Sequence, residues 1–127
     1  MLVQFEKIVE LSTNKVDFYT VRIGEKELTE FELFDEKEFP EHYEELVEIY
    51  NVIHLIGHKG AKKFYFKDEH AAHALPRVSD NIKKANKNDF GLRLYCIYLT
   101  DNLVVLLNGD RKTHHNPINC PDRKSVV

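Results

Sequence analysis

The stretch GLRLYCIYLTDNLVVLLNGDRKTHH, residues 91–115, decides the fold. Leu92 to Leu99 and Leu103 to Leu107 are nearly continuous apolar runs on either side of Asp101-Asn102, a pair that tolerates the positive φ of tight turns, so the stretch reads as a β-hairpin. Strands apolar on both faces belong at the centre of a sheet. The hairpin runs directly into Asp110, Arg111, Lys112, His114 and His115, and Arg93 lies within its first strand. Alternation puts Arg93 on one face with Tyr95 and Ile97, and Leu94, Cys96 and Tyr98 on the other. A guanidinium there needs an anion. Either a carboxylate such as that of Glu30 satisfies it, or a phosphate accepts its paired donors.

Upstream, Val3, Phe5, Val9 and Leu11 alternate with Gln4, Glu6 and Glu10, and a β-branched and aromatic pattern returns from Val16 to Ile23 after the polar turn Ser12-Thr13-Asn14-Lys15. This predicts a second hairpin. Thr29-Glu30-Phe31-Glu32 has the form of a capping box opening a short acidic helix that Pro40 stops. From Glu41, the positions Tyr43, Leu46, Val47, Tyr50, Ile53 and Leu55 follow helical spacing, with Gly57 as terminator. Lys59, Lys62 and Lys63 come next, then Phe64-Tyr65-Phe66 as a short strand and residues 74–78 as an extended piece around Pro76. Residues 79–91, SDNIKKANKNDFG, read as a mobile basic loop carrying Lys83 and Lys84, and residues 116–127 as a C-terminal tail.

With 127 residues and 43% hydrophobic content, the chain holds one ordinary core, and residues 1–127 are expected to form a single α+β domain. Its net charge of -3 conceals a division. Residues 1–56 carry 14 acidic and 5 basic side chains, and residues 57–127 carry 7 acidic and 13 basic ones. The cationic half suits a polyanion, while the acidic half limits indiscriminate sticking. No stretch approaches the roughly 20 apolar residues of a membrane span, and MLVQFEKIVEL lacks the features of a signal peptide, so a cytoplasmic protein without membrane contact is expected. Cys96 and Cys120 have no framework spacing and are expected to be reduced thiols. His54 with His58, His70 with His73, and His114 with His115 invite a zinc reading. Leu55 stands where a metalloprotease helix has its glutamate, and no CxxC accompanies the pairs, so no metal or other cofactor is expected.

The succession IGHKGAKKFYF, HALP and LRLYCIYLTDNLVVLLNGDRKTHH, within residues 53–122, resembles the RelE/ParE superfamily of small bacterial toxins, in particular its phage- and plasmid-associated RelE-like branch. The resemblance implies a curved antiparallel sheet with two or three helices packed on one face. It implies the toxin component of a type II toxin–antitoxin system that inhibits translation as a metal-independent endoribonuclease, an mRNA interferase acting on ribosome-bound message. An antitoxin protein is the implied partner, in a toxin–antitoxin hetero-oligomer. By position, Arg93 is similar to the family's arginine on the strand opening the last hairpin, Arg111 with Lys112 to its basic pair after the final strand, and Lys62 with Lys63 to the lysines entering its second strand. No tyrosine follows Tyr98 to match the one near the end of RelE, and His114 or His115 would substitute. The ParE-like relatives bind DNA gyrase without cutting RNA, so a non-enzymatic binding module, or an inert relative on the same fold, is the alternative.

The chemistry of this route assigns the side chains. Attack of a ribose 2′-hydroxyl on the adjacent phosphorus leaves a 2′,3′-cyclic phosphate and a free 5′-hydroxyl. His114 or His115, imidazoles of ordinary pKa about 6.5, would move protons. Arg93 and Arg111 would steady the phosphorane, and Lys112 or Lys62 would serve as acid or phosphate anchor. Lys62, Lys63, Lys83 and Lys84 would hold the RNA backbone, and Tyr65 or Phe66 would stack a base.

Overall fold

A computed structural model of the chain describes residues 2–69, 72–76 and 91–111. The hairpin of residues 91–115 is there as two long strands, β5 (Leu92–Thr100) and β6 (Leu103–Arg111), joined at Asp101 and Asn102. The last strand therefore extends past Leu107 to Arg111, which was expected to follow it. Neither turn residue takes positive φ. A register shift between Tyr98 and Thr100 accompanies the turn instead, as a bulge next to a hairpin loop takes up local twist. Apart from glycines, the described left-handed residues are Glu38 and Phe39, in the link between the helices.

The N-terminal hairpin is β1 (Val3–Lys7) and β2 (Asp17–Ile23), antiparallel with Phe5 opposite Val21. Two short strands, β3 (Lys67–Glu69) and β4 (Ala72–Leu75), complete a six-stranded sheet in the order β1-β2-β6-β5-β4-β3. The sheet is mixed, which corrects the wholly antiparallel expectation: β2 and β6 run parallel, with Phe18 opposite Val104. Each hairpin sets its own antiparallel pairing through a local link, residues 8–16 in the first and Asp101-Asn102 in the second. Where the hairpins meet, direction depends on the path of the intervening helices, and side-chain alternation is blind to it. The turn of the second hairpin is fastened to the start of β2: Asp17 N donates to Asn102 O (2.8 Å), and Asn102 Nδ2 donates to Lys15 O (2.9 Å).

Helix α1 (Glu30–Glu36) opens on the predicted capping box, with Glu32 N donating to Thr29 Oγ1 (3.2 Å) and Thr29 N donating to Glu32 Oε1 (2.9 Å). It ends before Pro40, which begins a 3-10 turn, Pro40–His42. Helix α2 (Tyr43–Lys59) runs through Gly57 and is capped by Gly60 at φ 104. Gly57 is buried because it touches the first hairpin's loop: Thr13 Oγ1 donates to the Gly57 carbonyl (2.6 Å), and a Cβ there would stand 3.1 Å from Thr13 Cγ2. Its small size serves packing, not termination.

The core lies between the helices and one face of the sheet. Leu46, Ile49, Ile53 and Ile56 of α2 and Phe31 and Phe34 of α1 close on Phe18, Leu75, Leu92, Leu94, Cys96, Val104 and Leu106. Each such side chain contributes about 1.5–3 kcal/mol by leaving water. Tyr43 and Leu55, which fit the helical spacing on paper, lie outside this stripe and are exposed.

Candidate nucleic-acid interface

The cationic half of the sequence surfaces where α2 ends. His54, His58 and Lys59 are exposed on its last turns, and Lys62 and Lys63 directly after it. A lysine at a helix C-terminus, as Lys59 is, meets the unsatisfied carbonyls favourably. Ala61, fully buried, fixes the exit by donating its N–H to Asp101 O (2.8 Å).

Beyond it, Lys63–Tyr65 form a single 3-10 turn, with Phe66 N donating to Lys63 O (3.1 Å). The expected strand over residues 64–66 is thus displaced to Lys67–Glu69. The turn sorts its aromatics. Phe66 is buried against Tyr98 (centroids 5.3 Å) and His73 (6.1 Å), Tyr65 is half-buried beside the core, and Phe64 is 58% exposed with its ring 4.4 Å from that of Tyr65. Lys63, Phe64, Phe66, Lys67 and Asp68 line an open pocket of about 360 Å³. Asp68 pairs across β3 and β4 with His73, whose Nε2 lies 3.4 Å from Asp68 Oδ1. Of the three rings, that of Phe64 is the most exposed. The pocket also holds Lys67 and Asp68, which strand alternation alone does not single out.

Arg93 occupies another part of the molecule. It is 4% exposed, stands opposite Asp110 on β6, and donates from Nη1 to the Leu92 carbonyl (2.9 Å). Below it is an acidic clasp. Glu45, in the first turn of α2, accepts the Leu92 N–H on Oε1 (3.0 Å) and lies 3.0 Å from His42 Nδ1 through Oε2, both side chains being buried. Gly91, at φ 62, leaves the space where these groups meet: a Cβ there would overlap Glu45 Oε1 and come within 3.3 Å of Arg93 Nη1. The carboxylate suggested for Arg93, Glu30, is ion-paired instead with Lys26 (3.6 Å). A phosphate approaching Arg93 would have to open this packing.

Arg93 and Arg111 stand on neighbouring rungs of the β5–β6 ladder, Arg111 opposite Leu92. Lys112, His114 and His115 lie outside the described residues, as do Lys83, Lys84 and nearly all of the loop expected at 79–91, and of Arg111 only the backbone is described. Cys96 is a free, fully buried thiol whose pKa is pushed up by burial. Cys120 and His70 lie outside the described residues. Among those residues no group of three or more His, Cys, Asp or Glu side chains is placed to hold a metal ion, and no helix is long and apolar enough to cross a membrane.

No family model, curated protein or solved structure matches this chain.

Proposed function

We propose that this protein binds single-stranded RNA as the toxin of a toxin–antitoxin pair, engaging message on the ribosome through the surface formed by Lys59, Lys62, Lys63 and Phe64. The observation that carries this reading is an exposed phenylalanine set among lysines on the rim of an open pocket. Lysines neutralise backbone phosphates without regard to sequence, and an exposed aromatic ring stacks an unpaired base. A duplex, whose bases are already stacked, has less use for such a ring. In this reading the buried Arg93 does not touch RNA. Cleavage by 2′-hydroxyl attack would then fall to Arg111, Lys112, His114 and His115.

The test has two stages. A fluorescein-labelled RNA dodecamer should bind the purified protein at low salt, and Lys62→Glu with Lys63→Glu should abolish binding while leaving the circular dichroism spectrum unchanged. Binding that survives the charge reversal sinks the proposal. Addition of the protein to translating ribosomes should then yield message fragments ending in 2′,3′-cyclic phosphate. RNA binding without such fragments would leave a binder that is not a nuclease.

A second reading, a non-enzymatic module that grips a protein partner, is favoured by a different observation. Strand β1 ends the sheet, all its residues are exposed, and it displays Val3 and Phe5 (46% and 65% exposed). Leu2 O accepts from Gly24 N and Ile8 N donates to Phe18 O, so Leu2 and Ile8 face β2 and the peptide groups of Val3, Phe5 and Lys7 turn to the outer edge. Such an edge is a template for an added strand. Phe5→Lys should weaken capture of a partner such as an antitoxin or gyrase and leave RNA binding unchanged.

A further inference from the structure

The pocket beside Phe64 mixes charges in a way that a plain phosphate site does not. Lys63 and Lys67 suit a phosphate, yet Asp68 lines the same 360 Å³ space and would repel one. An acid in a cationic, aromatic pocket is suited to a ligand with an anionic part, a flat part and a cluster of donors. A nucleotide has all three, and the volume lies within the roughly 300–1,000 Å³ of small-molecule sites. The bases differ at their Watson–Crick edges. Adenine and cytosine each set one amino donor beside a ring acceptor, and uracil flanks one donor with acceptors. Guanine alone offers two adjacent donors, N1–H and the 2-amino group, which match the two oxygens of a carboxylate.

We propose that this pocket takes one unstacked guanine, its ring against Phe64, its N1–H and 2-amino group on the Asp68 carboxylate, and its phosphate on Lys63. Asp68 is placed for this by the fold. His73, across the β3–β4 ladder, steadies one carboxylate oxygen from 3.4 Å, and the ring of His73 is in turn packed edge-on against Phe66 and Tyr98 (6.1 and 5.9 Å). The acid remains open to a ligand, its side chain 75% exposed. The inference rests on the RNA reading of the same surface and adds the base it selects.

The test uses the full chain and fluorescein-labelled RNA hexamers of uridine containing one central guanine or one central adenine, followed by fluorescence anisotropy. The guanine hexamer should bind about tenfold more tightly or better, the value of hydrogen bonds to a charged acceptor. Asp68→Asn should erase that preference and change affinity for the all-uridine hexamer less than about twofold. Inosine in place of guanine removes the 2-amino donor with the protein unaltered and should cost part of that preference, because one of the two donors to the carboxylate is gone. Equal binding of the guanine and adenine hexamers overturns the guanine site and leaves the RNA reading intact. If neither hexamer binds, the RNA reading fails, and the pocket is judged alone by ligand-observed NMR with 5′-GMP against 5′-AMP, where equal signals overturn it.

Discussion

Arg93 shows how a residue whose partner the sequence leaves open, carboxylate or phosphate, takes its place only in the fold. A guanidinium on an apolar strand predicts an anion, and the structure sets buried Glu45 beside it across the gap left by Gly91. Nothing in residues 91–93 could reveal this, because Glu45 is nearly fifty positions away in the sequence. Arg93→Ala should lower stability by about 1–3 kcal/mol, since the buried Leu92 carbonyl loses its side-chain donor. The measurement is the urea midpoint, and an unchanged midpoint would return Arg93 to the candidates for RNA contact. Gly109 is equally constrained: a Cβ there would run into the Arg93 carbonyl on the adjacent strand. Gly109→Ala should cost at least about 1–3 kcal/mol through overpacking, read in the same urea titration. Glu32 offers a test by pH. The Thr29 backbone N–H, with help from its hydroxyl, holds the Glu32 carboxyl below the usual carboxylate range. Because the folded pKa is the lower one, this stabilisation is present above the unfolded carboxylate range and is lost as pH falls through the folded value. Thermal melts of Glu32→Gln should therefore match wild type in acid and fall below it near neutrality.

At the scale of elements, the sequence was most legible where a pattern and its chemistry agreed. Thr29 and Glu32 announced α1, and the apolar runs Leu92 to Leu99 and Leu103 to Leu107 announced the central hairpin, whose strands run on to Thr100 and Arg111. The interior of α2 was read less well. A stripe of Leu46, Ile49, Ile53 and Ile56 is buried, whereas Tyr43 and Leu55 also satisfy an approximate helical period and face water. Residue spacing fixes a helix face only to within the width of a side chain, and the sheet selects which edge of that face is covered. Ile53→Ala should cost about 2–5 kcal/mol, while Leu55→Lys should stay within about 0.5 kcal/mol. Comparable losses for the two would show that α2 is rotated from the position described. Phe64-Tyr65-Phe66 was misread for a related reason. Three aromatics in a row satisfy strand propensity, but one turn of 3-10 helix lets Phe66 reach Tyr98 and turns Phe64 to solvent.

For the whole molecule, the division of charge along the sequence becomes a polarity along α2, from Glu44 and Glu45 in its first turn to His58 and Lys59 in its last. Binding of RNA at the cationic end should weaken steeply with salt. In single strands the slope of log affinity against log salt is about 0.7 per phosphate neutralised, so Lys62→Ala with Lys63→Ala should reduce it by about 1.4. A slope that does not change would place the RNA elsewhere.

Length, composition and periodicity by themselves determined an α+β chain with a central apolar hairpin, a capped acidic helix and a basic C-terminal half, because these follow from interactions between residues close in sequence. Tertiary structure alone decided that β2 and β6 run parallel, that Arg93 is buried near Glu45, and that Lys63, Phe64, Lys67 and Asp68 share one pocket. Each of these depends on which distant segments pack together, and no local pattern carries that information.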